Sequence, residues 1–423
     1  MIDKKIKEYS NYCLNCKVKP CSQKGCPLSN DIPAFIKCVK DEDLKQAYMI
    51  LTKTTMIGSV CGRICPHEKQ CQGSCVRGIK SEPVHIGKIE AYVFDNGLKN
   101  EYYKEIEKSN TLKDKKIAVI GSGPASLNAS AFLAMAGADV TIYEKQNELG
   151  GILSHGIPEF RLDRDVLNST INQILSLGIK IKTGITLGKD IDLEELKKNY
   201  DAVFLGIGAN VPAKMNIPGE ELEGVFGGNT LLENGNHPDY TDKIVAVSGG
   251  GNVAMDCART IKRMGAKKVY VIYRRAEEQM PAEKKEIADA KNEGIEFLFQ
   301  NNIVKIIGDE KVKRVECIKT VLVQKEGETR LSPVNIEGSN YELDVDYVVM
   351  AVGSKPDKNI LSKLNLELNE WGYIKVDENY KTSDDKVYAG GDLIGQKATV
   401  AWAAKAGRDA AKAIERELKK IYI

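Results

Sequence analysis

The chain has 423 residues, of which 42% are hydrophobic, 61 are basic and 59 are acidic. At ~100 to 200 residues per domain this length suits two to four domains, and the balanced charge does not favour nucleic acid or a membrane surface as main partner. No run approaches ~18 consecutive apolar residues, and the start MIDKKIKEYS has no apolar signal segment. The composition therefore predicts a cytoplasmic multi-domain enzyme without a membrane span.

Nine of the eleven cysteines lie in the first 75 residues. Eight of them form two runs: Cys13, Cys16, Cys21 and Cys26, followed by Pro27, then Cys61, Cys65, Cys71 and Cys75. The first run, CxxCx4Cx4CP, is close to the bacterial ferredoxin pattern, in which the cysteine before proline reaches the other cluster. Disulfides would suit a small secreted domain, and zinc typically takes two Cys or Cys/His pairs per site. Eight thiols therefore predict two [4Fe-4S] clusters, with zinc as the alternative.

The segment between the two runs, residues 31–55, has helical spacing of its apolar residues around an acidic break at Asp41 to Asp43. The apolar positions are Ile32, Phe35, Ile36, Val39, Leu44, Ala47, Tyr48 and Leu51. Cys38 lies on the same face, where a lone cysteine is more often a buried small hydrophobe than a ligand. These residues predict a helical domain that positions two cysteine loops.

A lysine-rich linker then precedes KIAVIGSGPASLNASAFLAMAGADVTIYEK, whose order is strand, glycine turn, helix and second strand. Gly121 permits the tight turn and Gly123 lets the backbone approach a pyrophosphate, while the helix starting with Pro124 and Ala125 presents its N-terminus to the negative charge. Glu144 ends the second strand, where an acidic side chain binds ribose hydroxyls. This order predicts a dinucleotide site.

A second unit of the same order follows at KIVAVSGGGNVAMDCARTIKRMGAKKVYVIYRR. Its turn and helix start contain Gly249, Gly251, Asn252 and Val253. Arg274 and Arg275 occupy the strand-end position that Glu144 has in the first unit. An acid there would repel a 2'-phosphate, whereas guanidinium groups bind it through charge-assisted bonds. The pair therefore favours NADPH over NADH, with a solvated basic loop as the alternative.

Near the end of the chain, VYAGGDLIGQKATVAWAAKAG predicts a short strand, a glycine turn and a long helix that opens at Thr399. Asp392 follows Gly391 and is placed to hydrogen-bond a ribityl hydroxyl or a bridged phosphate, although GGD alone is common in turns. The first fingerprint and GGD flank the second fingerprint, which predicts an inserted domain. The expected domains are helical (1–110), FAD-binding (111–240 with 349–423) and NADPH-binding (241–348).

The whole chain resembles the family of small, NADPH-oxidising subunits of bacterial glutamate synthase. It is also similar to the N-terminal part of dihydropyrimidine dehydrogenase and to the large subunit of NADH-dependent ferredoxin:NADP oxidoreductase. The segments that carry the resemblance are CGRICPHEKQCQGSCV, VHIGKIE, GSGPASL, ELGGILSHGIPEFRL, GGGNVAMDCAR, YRRAEEQMPA and VYAGGDLIGQKATVAWAAKAGRDAA. The resemblance implies an α/β fold with an N-terminal helical iron-sulfur domain and two Rossmann-like domains of the glutathione-reductase type.

The resemblance also implies how the ligands are shared between clusters. One cluster would take Cys13, Cys16, Cys21 and Cys75, and the other Cys26, Cys65, Cys71 and Glu90. Cys61 would then be a neighbour and not a ligand, whereas counting thiols alone leaves it as the alternative to Glu90. Four residues separate Cys21 from Cys26, one more than the family spacing.

The cofactor residues follow in the same way from the resemblance. FAD would contact Gly121, Gly123, Pro124, Ala125, Glu144, Gly151, Arg161, Gly391, Asp392 and Thr399. NADPH would contact Gly249, Gly251, Asn252, Val253, Arg274 and Arg275. No catalytic side chain is expected, because the cofactors carry the chemistry.

The implied activity is hydride transfer from NADPH to FAD, followed by electron transfer through the clusters to a partner protein. In the glutamate synthase setting this partner is the large subunit, which forms glutamate from 2-oxoglutarate and glutamine. Alternatives are a subunit of a ferredoxin:NADP or sulfur-linked oxidoreductase, or a zinc- and flavin-containing redox sensor. The acceptor, the direction of electron flow and the oligomeric state stay open at this point.

Overall fold

The computed structural model of the chain describes residues 2–325, 327 and 330–420. It divides into two compact units, the first comprising residues 1–154, 159–209 and 356–423 and the second comprising residues 155–158 and 210–355. None of the helices in the described ranges has the length and apolar character that crossing a membrane requires.

Helices and strands are numbered separately along the chain. The helices are α1 Lys4–Tyr12, α2 Ile32–Lys40, α3 Leu44–Thr52, α4 Gly58–Ile64, α5 Ile86–Lys99, α6 Pro124–Met135, α7 Ile152–His155, α8 Arg164–Leu175, α9 Leu193–Asn199, α10 Gly228–Asn234, α11 Asn252–Arg263, α12 Lys284–Asn292, α13 Lys358–Leu364 and α14 Val400–Lys420. The strands are β1 Lys116–Ile120, β2 Asp139–Tyr143, β3 Lys180–Lys182, β4 Ala202–Leu205, β5 Val211–Pro212, β6 Val225–Gly227, β7 Ile244–Ser248, β8 Lys268–Tyr273, β9 Glu296–Phe299, β10 Asn301–Gly308, β11 Val312–Val323, β12 Ser332–Asn335, β13 Tyr341–Asp344, β14 Tyr347–Met350, β15 Ser354–Lys355 and β16 Val387–Ala389.

Aspartate caps define the helices of the N-terminal segment. Asp31 and Asp43 each accept a hydrogen bond from a backbone N–H in the first turn of α2 and α3, which satisfies a donor that has no partner within the helix. The acidic break therefore ends one helix and starts the next, with Glu42 between them at φ +62°. The apolar face predicted from spacing is buried, apart from a partly exposed Leu44: Ile32, Phe35, Ile36, Val39, Ala47, Tyr48 and Leu51. The predicted helical segment is confirmed.

The first unit also contains a parallel five-stranded sheet in the order β16-β4-β1-β2-β3. Its inner strands are apolar on both faces, as expected where helices cover both sides of a parallel sheet. Strand β16 pairs with β4 although about 180 residues separate them along the chain. One sheet is thus built from segments on both sides of the second fingerprint.

The cysteine-bearing helices and this sheet belong to the same compact unit. Tyr48 donates a hydrogen bond from Oη to Gln173 Oε1 at 2.7 Å, and both side chains are buried. Arg408 Nη1 of α14 donates to the carbonyl oxygen of Leu28 at 2.7 Å. These buried polar contacts fix the helical segment against α8 and α14, because breaking either would leave a buried group unpaired.

The second unit contains a parallel sheet in the order β6-β14-β7-β8-β9. An antiparallel sheet follows, in which β11 pairs with β10, β12 and β13. Arg259 of α11 is buried and forms ion pairs with Glu286 and Glu293, which hold α12 against α11. The α/β class with two Rossmann-like sheets is confirmed, and the three domain boundaries given above stay a prediction.

Candidate redox cofactor sites

Four thiols of the N-terminal segment line a common cavity. They are Cys13, Cys16, Cys21 and Cys75. The cavity has an apolar wall that includes Ile32, Ile36 and Ile86. Burial, with a smaller contribution from the neighbouring Cys75 thiol, raises the pKa of the Cys21 thiol to about 11. The structure therefore brings together the four residues assigned by resemblance to one cluster.

The second predicted ligand set also converges. Burial raises the pKa of the Cys26 thiol to about 12, and the nearby Glu90 carboxylate and Cys65 thiol add to this effect. Burial also raises the pKa of the Cys71 thiol, and the Glu90 carboxylate and the Cys65 thiol raise it as well. Glu90 is 5% exposed, and burial raises the pKa of its carboxyl group to about 8. This set is a thiol-rich, desolvated group with one oxygen donor.

Cys61 lies beside this second set. It is in α4, it is 2% exposed, and its thiol forms a hydrogen bond with the thiol of Cys65. Five candidate ligands thus share one region, so the geometry leaves Glu90 and Cys61 both available as the fourth ligand. Cys38 is different, because the main charges that act on its thiol are those of Asp43, Asp41 and Lys37 and not those of either cysteine set.

A π-helical turn accommodates the long spacing between Cys21 and Cys26. The turn spans Cys21–Gly25, and the N–H of Cys26 donates to the carbonyl oxygen of Cys21 at 2.8 Å. A π turn accepts one residue more than an α turn, and such turns are frequent at functional sites. Cys26 therefore reaches the second set while Cys21 stays in the first.

Burial raises the pKa of the Cys13, Cys21, Cys26 and Cys71 thiols above its usual range. Cluster loading would therefore release protons, as metal binding to thiols does in general. Within residues 2–325, 327 and 330–420, no group of three or more His, Cys, Asp or Glu side chains is arranged to hold a single metal ion.

The first glycine turn is organised by a residue that sequence reasoning missed. Ser122 Oγ donates to Glu144 Oε2 at 2.6 Å and accepts from the N–H of Gly150 at 3.0 Å. It thereby connects the glycine turn, the acidic strand end and the ELGG segment. A Cβ on Gly123 would meet no atom within 4 Å, which is the open backbone that a pyrophosphate requires. The sequence feature that could have indicated Ser122 is its position between Gly121 and Gly123.

The GGD segment lies beside this turn. A Cβ on Gly391 would come within 3.2 Å of the Ala125 side chain, and one on Gly407 would come within 1.9 Å of the Ala125 carbonyl oxygen. Asn128 Nδ2 donates to the carbonyl oxygen of Ala404 at 2.8 Å. Helix α14 therefore packs closely on α6, and burial raises the pKa of the Asp392 carboxyl group to about 6.

Two further predicted flavin residues, Gly151 and Arg161, lie in separate segments. A Cβ on Gly151 would come within 2.9 Å of the Gly123 Cα atom, so the ELGG backbone packs directly on the fingerprint turn. Arg161 is half-buried in the turn before α8, and its role stays a prediction. The residues present fit a dinucleotide at this turn.

A direct contact connects the flavin segment to the second cysteine set. Gln70, next to Cys71, donates from Nε2 to Thr399 Oγ1 at 3.2 Å, just before α14 begins. The backbone of Ala401, in the first turn of α14, lies close enough to the Cys65 thiol to lower its pKa. Sequence reasoning missed Gln70, because nothing in the spacing of the cysteines indicates its partner.

The second fingerprint, in unit 2, also begins with a glycine of positive φ. Gly249 has φ +141°, and a Cβ there would come within 2.3 Å of the Ala351 carbonyl oxygen. Asn252 Oδ1 accepts from the N–H of Glu283 at 3.0 Å, which fixes the side chain at the start of α11. Val253 follows it in the same turn.

The two arginines after β8 differ in burial. Arg274 is exposed, while Arg275 is half-buried and its Nε atom has no hydrogen-bond partner in the described part of the chain. A buried guanidinium nitrogen without an acceptor is costly, and an anionic oxygen would satisfy it. The residues at this strand end therefore fit a phosphate group.

Two family models match the chain. The model described as pyridine nucleotide-disulphide oxidoreductase matches residues 115–410, and the model described as dihydropyrimidine dehydrogenase domain II, 4Fe-4S cluster, matches residues 1–102. Together they cover both fingerprints and both cysteine groups.

Curated relatives match over nearly the whole chain. The glutamate synthase [NADPH] small chain of Halomonas elongata is 34% identical, over 95% of this chain and 88% of the relative. The protein of the same name from Escherichia coli K12 is 33% identical, over 96% of this chain and 90% of the relative. The NADP(+)-dependent formate dehydrogenase subunit beta of Moorella thermoacetica is 35% identical, over 95% of this chain and 60% of the relative.

Solved structures agree on the fold. FprA of Mycobacterium tuberculosis in complex with NADPH superposes with a TM-score of 0.65 at 20% identity, over 73% of this chain and 85% of that chain. Thioredoxin reductase of T. acidophilum superposes with a TM-score of 0.55 at 21% identity, over 72% of this chain and 99% of that chain. The chain belongs to the pyridine nucleotide-disulphide oxidoreductase family and, within it, to the glutamate synthase small-chain group with an N-terminal 4Fe-4S domain.

Proposed function

We propose that this chain is the NADPH-oxidising module of a larger electron-transfer enzyme. NADPH would bind at Gly249, Gly251 and the arginines after β8, FAD would bind at the first fingerprint, and each cysteine set would hold one [4Fe-4S] cluster. When bound, these groups supply two-electron oxidation of the nicotinamide and one-electron transport to an acceptor. The protein supplies orientation, burial and charge.

The observation that carries this proposal is the hydrogen bond between Gln70 and Thr399. It joins the loop before Cys71 to the start of the helix that packs on the FAD fingerprint, and the contact of Cys65 with Ala401 is a second connection. The set with Cys26, Cys65 and Cys71 is therefore the one adjacent to the flavin segment. The set with Cys13 lines a cavity that includes exposed side chains, which suits an exit toward a partner.

The acceptor that the relatives favour is the large subunit of glutamate synthase. Two relatives at 33 to 34% identity are named as small chains of that enzyme, and this chain spans 88 to 90% of their length. The partner would then form glutamate from 2-oxoglutarate and glutamine with the electrons delivered to it.

An anaerobic absorption spectrum with iron and zinc analysis, followed by titration with NADPH and separately NADH, tests the module. We expect about eight irons per chain, one FAD, and bleaching of the flavin by NADPH at lower concentration than by NADH. Zinc in place of iron, or a flavin that neither nucleotide reduces, would contradict the proposal and support the redox-sensor alternative.

The partner is tested separately by mixing the reduced protein with a glutamate synthase large subunit. Glutamate formation from 2-oxoglutarate and glutamine that depends on NADPH and on both proteins is the expected result. A module that is reduced normally but delivers no electrons to that subunit would refute the partner and leave the module intact.

A further inference from the structure

Four large apolar side chains are exposed on the two loops that carry Cys13, Cys16 and Cys75. Leu14, Val18, Val76 and Ile79 are 51, 71, 38 and 77% exposed. Leu14 and Val76 line the cavity itself, together with Cys13, Cys16, Cys21 and Cys75. Exposed apolar side chains that cluster in this way often mark an interaction site. We call these four side chains the apolar patch.

The two loops that carry the apolar patch are held together rigidly. The Arg77 guanidinium lies 4.1 Å from the centre of the Tyr12 ring, and its Nε donates to the Tyr12 carbonyl oxygen at 3.0 Å. Tyr12 Oη is 2.7 Å from Ser81 Oγ. The loops before and after the cavity are therefore prearranged, which lowers the entropy that binding a partner would cost.

The same loops are mainly positive. Residues 13–26 and 75–85 contain Lys17, Lys19, Lys24, Arg77 and Lys80, and Glu82 is their one carboxylate. Lys19 is paired with Asp31 at 2.7 Å, whereas Lys17, Lys24 and Lys80 have no carboxylate at ion-pair distance among the residues that the structure describes. The whole chain has a net charge of only +2, so this is a local feature.

We propose that the apolar patch and its lysines form the docking surface for a redox protein whose own redox centre is surrounded by carboxylates. This inference rests on the proposed function, since it requires a cluster in the first cysteine set. An apolar centre with charges at the rim is the usual anatomy of a transient protein interface. The rim charges would steer the acidic partner and accelerate its association.

Two acceptors of opposite surface charge test the proposal. Acidic plastocyanin and basic cytochrome c are both one-electron acceptors, and their reduction by NADPH through the loaded protein is followed at several salt concentrations. We expect plastocyanin reduction to slow as salt rises and cytochrome c reduction to accelerate, because screening weakens attraction and repulsion alike.

The variant is the triple substitution Lys17→Glu, Lys24→Glu and Lys80→Glu. We expect plastocyanin reduction at low salt to fall about tenfold and cytochrome c reduction to rise. The matched control is Lys53→Glu, Lys99→Glu and Lys189→Glu, three exposed lysines on other elements with the same change in net charge. A change in cluster potential would move both acceptors in the same direction, so opposite changes identify docking.

Carbodiimide cross-linking of plastocyanin to the protein gives a readout that does not depend on turnover. Cross-linked peptides should contain Lys17, Lys24 or Lys80. Cross-links confined to other lysines, or rates that the triple variant leaves unchanged, would overturn the proposal. Reduction of a neutral quinone by NADPH and the iron content are measured in parallel, and their loss would instead indicate failure of the proposed function.

Discussion

Asn30 Nδ2 donates a hydrogen bond of 3.0 Å to Glu90 Oε1, and both residues are almost fully buried. Thr54 Oγ1 donates to the other end of the Asn30 side chain, which fixes the orientation of its amide group. Glu90 is thus held in place by Asn30, which is itself fixed by Thr54. Its carboxylate lies among the thiols of the second cysteine set. Groups that orient a metal ligand in this way commonly tune the site.

The first prediction concerns the fourth ligand of that set. Glu90→Ala should lower the iron content from about eight per chain toward about four, or leave an oxidised [3Fe-4S] signal in electron paramagnetic resonance, because an oxygen ligand is lost. Cys61→Ser is the matched comparison and should retain all the iron. The opposite pattern would assign Cys61 as the ligand.

Asn30→Ala should keep the iron and lower the reduction potential of that cluster alone, since the hydrogen bond from Asn30 withdraws charge from Glu90.

A second prediction concerns the π turn between the two cysteine sets. Gly25 packs so closely that a Cβ would lie 2.7 Å from the Gln70 carbonyl oxygen and 2.8 Å from the Cys71 Cα atom. Gly25→Ala should therefore lower the free energy of unfolding by about 1 to 3 kcal/mol, because backbone atoms must move. Gly78→Ala is the control, since its Cβ would meet its nearest atom at 3.6 Å. Equal urea midpoints for the two variants would contradict this packing.

The third prediction tests Ser122 as an organiser of the FAD turn. Ser122→Ala removes the hydrogen bonds to Glu144 and Gly150, so FAD should bind about five- to tenfold more weakly. Ser130→Ala is the control, because the buried Ser130 Oγ has no hydrogen-bond partner within the described residues. Fluorescence titration of FAD into flavin-depleted protein measures both, and equal affinities would refute the role of Ser122.

Nucleotide preference gives the fourth prediction. Changing Arg274 and Arg275 to Ala should lower kcat/KM for NADPH by about 10- to 100-fold and leave the value for NADH nearly unchanged, since only the 2'-phosphate contact is lost. Arg314→Ala, which removes an exposed arginine from β11 in the same unit, should affect neither nucleotide. A parallel loss with both nucleotides would place the arginines outside the phosphate site.

The fifth prediction is a pH dependence at Asp392. Burial raises its pKa from 3.8 to about 6, so the folded protein binds this proton more tightly than the unfolded chain does. Its contribution to the free energy of unfolding therefore falls as pH rises from about 4 to about 6, and at neutral pH the ionised group costs up to about 3 kcal/mol.

Asp392→Asn should accordingly stabilise FAD-free protein at pH 8 by more than at pH 5, while FAD affinity falls because a charged acceptor is lost. Asp385→Asn, at a fully exposed carboxylate, serves as the control for both measurements. Urea unfolding at the two pH values provides the test. A variant that is less stable than the parent at pH 8 would show that the buried carboxyl is compensated by a partner.

Local sequence pattern alone was enough to predict α2, α3 and the two Rossmann units. Helical spacing with Asp31 and Asp43 as caps predicted α2 and α3, and the order of strand, glycine turn and helix predicted both Rossmann units. These features depend on neighbours within a few residues, because capping and turn geometry are local. The family resemblance supplied the division of the cysteines into two sets.

Tertiary structure decided how these elements meet. The π turn that carries Cys26 to the second set, the Asn30 contact to Glu90, and the hydrogen bond from Gln70 to Thr399 join residues that are up to 329 positions apart. No sequence period encodes such pairs, because which donor finds which acceptor depends on the packing of α14 on α6 and of the cysteine loops on both. The sequence motifs predicted which cofactors the chain binds, whereas the contacts that connect their sites were determined by the tertiary structure.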